Sequence, residues 1–149
     1  MRDELSAQLK DAMKGGNKER VSTIRLIQSA IKDRDIANRG AGKDAAADDE
    51  ILQILAKMVK QREESAAIFE KAGRLDLSTQ EQAEIVIIRG FMPQQLDDAE
   101  VRAIATGLIA ELGASGVRDM GKVMAAMRER HAGQMDFAKA SALVKGLLG

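Results

Sequence analysis

The sequence predicts an all-α protein of two small helical domains, and three observations carry that prediction. Hydrophobic residues fill 45% of the 149 positions but aromatic residues only 2%, namely Phe69, Phe91 and Phe137. A core drawn from Leu, Ile, Val, Ala and Met suits helix packing and suits strands poorly. Proline occurs once, at Pro93, and apolar residues recur at three- and four-residue intervals almost throughout. A chain of this length forms one ordinary domain or two small ones.

Leu5, Leu9, Ala12 and Met13 mark a first short helix, closed by Gly15 and Gly16. Asn17 suits the N-cap of a second helix, because its side-chain oxygen can accept from an otherwise unpaired amide; the stripe there is Val21, Ile24, Ile27 and Ile31. Residues 39–47 (RGAGKDAAA) carry no stripe and read as a mobile Gly/Ala linker. Asp48 opens a long third helix bearing Ile51, Leu55, Met58, Val59 and then Ile68 and Phe69, stopped by Gly73. Ser78 and Glu81 have the spacing of a capping box for a fourth helix through Ile85, Val86 and Ile88, which Gly90 would end.

Pro93 forces Met92 out of the α region, so residues 91–96 (FMPQQL) break the helical pattern. Asp97 and Glu100 form a second capping box, with Leu96 placed to pack on Val101. Three shorter helices follow, over 98–112, 119–130 and 136–148. The expected domains are therefore 1–93, with four helices, and 94–149, with three.

Twenty-three basic and twenty-three acidic residues balance to zero. That excludes a strongly basic polyanion-coating protein, because affinity for phosphate backbones scales with the cations presented, but it leaves room for a local patch. Cysteine is absent, which removes disulfides, thiolate metal sites and a Cys nucleophile. The chain starts Met1-Arg2-Asp3-Glu4 without an apolar signal segment, and no run approaches membrane-spanning length. The expected compartment is the cytoplasm, with no membrane partner and no DNA.

Catalytic raw material is scarce. Residues 116–122 satisfy the GxxxxGK half of a P-loop, but Val123 follows where a hydroxyl should bind magnesium, and the preceding segment is helical. Ser78 and Ser115 have no basic partner identifiable in the sequence. Asp48, Asp49 and Glu50 are explained by a helix start, and His131, the one histidine, by a helix end. Met120, Met124 and Met127 fall at helical intervals and fill core, or form an adaptable partner surface. The expectation is no catalytic residue, no metal and no cofactor.

A binding surface is the better reading of the last third. Asp119 is placed to cap a helix, Gly121 lets a backbone or a phosphate approach closely, and Lys122 lies in a first helical turn, where exposed amides favour anions. Arg118, Arg128 and Arg130 lie near it in sequence, with Lys139 and Lys145 one helix later. An ordinary solvated face would read the same way. With so few aromatic residues, any RNA recognition would run through backbone and shape.

Three segments resemble the GatB/YqeY family: KAGRLDL (71–77), FMPQQL (91–96), and DMGKVM (119–124) followed by HAGQMD (131–136) and LVKGLL (143–148). Their order spans essentially the whole chain, which resembles a free-standing YqeY-like protein. The resemblance implies a four-helix N-terminal domain and a three-helix C-terminal one. It also makes the C-terminal half similar to the tail domain of the B subunit of the tRNA-dependent amidotransferase, which helps hold tRNA. By that resemblance Arg118, Gly121, Lys122, Arg128, Arg130 and Gly133, with Lys139 and Lys145 beside them, would face tRNA. Family members are described as carbon–nitrogen ligases with glutamine as amide donor. The chain lacks the B subunit's kinase-like cradle, a Gly/Ser-rich amidase motif and any Cys, so the expected function is non-catalytic, acting on tRNA or on an aminoacyl-tRNA synthetase or amidotransferase subunit. The alternatives are an amidotransferase component active only with other chains, and a protein-interaction module without nucleic acid.

Overall fold

The computed structural model describes residues 1–149 and is helical throughout, with seven α-helices, one 3-10 turn and no strand. In chain order these are α1 (Arg2–Lys14), α2 (Lys18–Gly40), α3 (Asp48–Lys71), α4 (Leu75–Arg89), α5 (Asp98–Leu112), the 3-10 turn Val117–Asp119, α6 (Met120–Arg130) and α7 (Phe137–Leu148). The all-α expectation holds. The chain divides into two units, Met1–Met92 and Pro93–Gly149.

In the first unit α1 lies on α2, and α3 and α4 form a tight helical hairpin that α2 also meets. Leu5, Ile24, Ile27, Ile51, Leu55 and Ile88 are wholly buried between them. Asn17 caps α2, its side chain accepting from the Arg20 amide at 3.1 Å. The KAGRLDL segment is the hairpin turn. Gly73 takes φ +73°, the Arg74 amide returns to the Phe69 carbonyl at 2.8 Å and the Gly73 amide to Glu70 at 3.1 Å, the paired bonds of a Schellman ending.

That turn explains one difference from the sequence reading. The chain re-enters helix at Leu75, three residues before the Ser78–Glu81 box, so Ser78 is a buried residue in the first turn of α4 and no side chain caps the helix. The linker also differs. α2 runs on to Gly40, and the segment after it is tied down: Ala46 is buried, its amide donates to Asp35 at 2.8 Å and its carbonyl accepts from Arg2 at 2.8 Å. Ile68 and Val86 face solvent instead of core. Ala66, seven residues beyond Val59, continues the α3 stripe, while Val86 is one step of roughly 100° around the helix from buried Ile85.

In the second unit Val101, Ala105 and Leu108 of α5 pack with Val123, Met124 and Met127 of α6 and with Ala140 and Val144 of α7. Two of the three α6 core residues are methionines, which places those side chains inside and not on a partner surface. The Asp97–Glu100 capping box forms in both directions, with the Glu100 amide donating to Asp97 at 2.7 Å and the Asp97 amide to Glu100 at 3.3 Å.

Candidate nucleic-acid interface

The site expected from sequence begins where α5 ends. Gly113 closes that helix at φ +64°, and a short loop leads into the 3-10 turn that runs directly into α6. Asp119 does not cap α6. Its carboxylate instead accepts from the Ser115 amide at 3.0 Å, which pins the loop before the turn. That bond holds its pKa below the ordinary carboxylate value, with Lys122 and Arg118 as smaller electrostatic contributors. The carboxylate was therefore taken by the loop because the 3-10 turn carries the chain into α6 without a separate cap.

Gly121 and Lys122 occupy the first turn of α6 and are exposed, with exposed Arg118 just before them. A Cβ built on Gly121 would meet nothing within 4 Å, so the packing of this chain does not require glycine there. Arg118 and Lys122 have only Asp119 as a charged neighbour of opposite sign.

The remaining cations diverge. Arg128 stacks its guanidinium over the Phe137 ring, 5.8 Å from the centroid, within cation–π range. Arg130 forks onto Glu111 at 2.8 and 3.0 Å, tying α6 to α5. Two residues on a helix are about 200° apart, so these arginines sit on opposite flanks of α6. Lys139 and Lys145 are exposed on α7 but six residues apart, roughly 120° around it. Lys139 lines a cleft of about 470 Å³ that it shares with Asp98 and Asp136. Sequence spacing carried no signal for Glu111 or Phe137 as partners of these arginines, since each contact is made between helices.

Gly133 is buried, at φ +73°. Its carbonyl accepts from Gln95 Nε2 at 2.5 Å, and the adjacent Gln134 carbonyl accepts from the Leu96 amide at 2.8 Å. His131 meets the Gln134 side chain through Nδ1 at 2.9 Å. The HAGQMD segment is thus a structural turn that holds the start of the unit. The sequence-derived site resolves into an exposed trio at one end of α6, two flanking arginines of which one is ion-paired, two separate lysines and a buried glycine.

No helix is long and apolar enough to cross a membrane. Comparison with known proteins places residues 2–148 in the family described as Yqey-like protein. An uncharacterized protein of Schizosaccharomyces pombe is 35% identical over 86 residues, 58% of this chain and 67% of that protein. The protein named altered inheritance of mitochondria protein 41, mitochondrial, is 34% identical in Lachancea thermotolerans, over 72% of this chain and 57% of that one. Its Saccharomyces cerevisiae counterpart is 31% identical, over 76% and 63%. The chain thus spans less than two thirds of either mitochondrial relative. Their names overturn the expectation of a cytoplasmic compartment. That expectation rested on the lack of an apolar signal segment, a criterion blind to organelle import, whose targeting segments are amphipathic and Arg-rich. With a match across nearly its full length, the chain belongs to the YqeY-like family.

Proposed function

We propose that this YqeY-family chain is a non-catalytic RNA-binding protein whose three-helix unit holds the backbone of a tRNA or serves an enzyme that handles one. One observation carries the reading: Arg118 and Lys122 stand exposed on either side of an exposed Gly121 that packing does not demand. A glycine inside a helix costs about 0.5–1 kcal/mol relative to Ala, and open space outside its Cα gives a phosphate close access. The resemblance of this half to an amidotransferase tail supplies the tRNA. The carbon–nitrogen ligase alternative draws on that resemblance alone.

The same charges bound the strength of binding. The unit's cations, Arg102, Arg118, Lys122, Arg128, Arg130, Lys139 and Lys145, are matched in number by its acids, Asp97, Asp98, Glu100, Glu111, Asp119, Glu129 and Asp136. Contact is local, on the order of two to three phosphates, and sensitive to salt. Phe137 is the unit's one aromatic residue and lies under Arg128, so recognition runs through backbone and shape, without base stacking.

The test is anisotropy of dye-labelled tRNA with the full chain at several salt concentrations, against a plain RNA duplex. Replacing Arg118 and Lys122 with Ala should weaken binding and flatten the salt slope by about one to two units. An identical slope in wild type and double variant would remove the reading.

A further inference from the structure

The most regular arrangement of free charge in the molecule lies in the first unit. Lys18, Arg25 and Lys32 follow one another along α2 at seven-residue intervals. Seven residues make just under two helical turns, so such a row is a nearly straight seam that drifts about 20° per heptad. Neighbouring cations stand roughly 10 Å apart along the axis at about 1.5 Å per residue. Ser22 and Ser29 fill the steps between them and Ile36 extends the line, and all six side chains are exposed.

These three cations differ from the others on the helix. Arg20 bonds Gln8 and covers Phe91, Arg34 pairs with Glu50, and Arg39 lies by Asp35. The side chains of Lys18, Arg25 and Lys32 make no hydrogen bond or ion pair. The nearest acids on α2, Glu19 and Asp33, lie off the line of the row.

Beside the row, where the end of α1 meets α2, is a groove of about 640 Å³. Ala12, Met13, Val21 and Leu26 give it an apolar lining, and Lys18 and Arg25 form its rim. Met13 is 53% exposed, Leu26 44% and, further along, Ile36 58%. Large apolar side chains therefore stand in water next to unpaired cations.

The combination selects among occupants. A nucleic acid would use the cations but not Met13 or Leu26, and the groove holds no ring for a base to stack on. An extended peptide repeats its side chains every ~6.7 Å on one face, out of step with a spacing near 10 Å. A second helix shares the seven-residue repeat and stays in register over both intervals, while its apolar face needs a groove. We propose that this face of α1 and α2 docks an acidic amphipathic helix of a partner protein. Its Asp or Glu residues, spaced by seven, meet Lys18, Arg25 and Lys32, and its apolar residues enter beside Met13 and Leu26. The proposal stands apart from the RNA reading, which concerns the other unit.

The probe is a dye-labelled synthetic helical peptide of about three heptads, with Glu at seven-residue spacing and Leu on the adjoining face. Its control has the same composition with Glu at five-residue spacing. The full chain should bind the heptad peptide about tenfold more tightly than the control, as three exposed ion pairs in register allow. In the methyl spectrum of 13C-methionine protein, the exposed Met13 should shift while Met124 and Met127, buried in the other unit, stay still. K18E/R25E/K32E protein should lose the Glu peptide and gain its Lys counterpart, and Met13→Glu should weaken binding without touching the row. Equal affinity for the two Glu peptides, or an unmoved Met13 methyl, overturns the proposal. So does binding of an RNA duplex that vanishes in the triple variant, which would make the row a phosphate surface.

Discussion

Gln95 donates its side-chain amide to the carbonyl of Gly133 at 2.5 Å, across 38 residues of sequence, and the Leu96 amide beside it donates to Gln134 at 2.8 Å. Gln95 and Leu96, at the end of the FMPQQL segment, and the HAGQMD turn are therefore one device that anchors the first residues of the second unit. Gln95→Glu keeps the shape and removes the donor, setting a carboxylate against a buried carbonyl. It should destabilise this unit by about 1–2 kcal/mol. Gly133→Ala, forced into a left-handed backbone, should cost a similar amount, roughly 1–2 kcal/mol. Urea unfolding followed by far-UV circular dichroism checks both, since the chain has neither Trp nor Tyr. An unshifted midpoint for Gln95→Glu would show that water already satisfies this carbonyl, and one for Gly133→Ala that the turn relaxes to accept a Cβ.

The helices were legible because their signals are local. Asn17, Gly73 and the Asp97–Glu100 box act within four residues of their own position, and each works as spacing implies. Spacing misleads where a competing contact takes the residue over. Residues 41–47 have no periodicity, and the side-chain bonds that tie them down at Ala46 come from Arg2 and Asp35, at least eleven residues away. Asp119 has the composition of a cap, but the 3-10 turn redirects it to Ser115. Charge density near Lys122 was visible, whereas the capture of Arg130 by Glu111 depends on how two helices pack. The free row on α2 is inconspicuous in the sequence for another reason: its members are seven residues apart and look sparse in one dimension.

Asp35 holds the segment after α2 through Arg2 and the Ala46 amide. Those contacts, the Arg2 hydrogen bond foremost, lower its pKa from 3.8 to about 2. A depressed carboxylate pKa contributes stability that is present above the unfolded value and is lost as pH falls through the folded one. The contribution is thus complete above about pH 4 and fades toward pH 2. Asp35→Asn should melt below wild type at neutral pH, with faster exchange of the Ala46 amide, and the gap between the two melting curves should close on acidification. A gap that stays constant over that range would assign the effect to packing, not to charge.

Two potential capping boxes make an internal control. Asp97 and Glu100 exchange both capping bonds at the start of α5, whereas Glu81 lies within α4 and caps nothing. Asp97→Ala should cost about 1 kcal/mol, the usual worth of an N-cap. Glu81→Ala should stay within about 0.5 kcal/mol of wild type, like other replacements away from such features. Chemical unfolding of the two variants in parallel decides the matter, and a Glu81 effect as large as that of Asp97 would restore the box expected from spacing.

Arg130 is committed to Glu111, and each raises the charged population of the other: the hydrogen bond lowers the Glu111 pKa and raises that of Arg130. If RNA lies along α6, this arginine reaches phosphate only when its partner lets go. Glu111→Gln keeps the side chain's size, removes its charge and releases the guanidinium. The salt dependence of tRNA binding should then steepen by about 0.7–0.9 unit, one additional phosphate contact. Arg130→Ala, which removes a cation already neutralised, should leave the slope near wild type. The same anisotropy series measures both. The reverse pattern, a flatter slope for Arg130→Ala and none of the gain for Glu111→Gln, would mean that Arg130 abandons Glu111 in the wild-type complex and belongs to the RNA surface from the start.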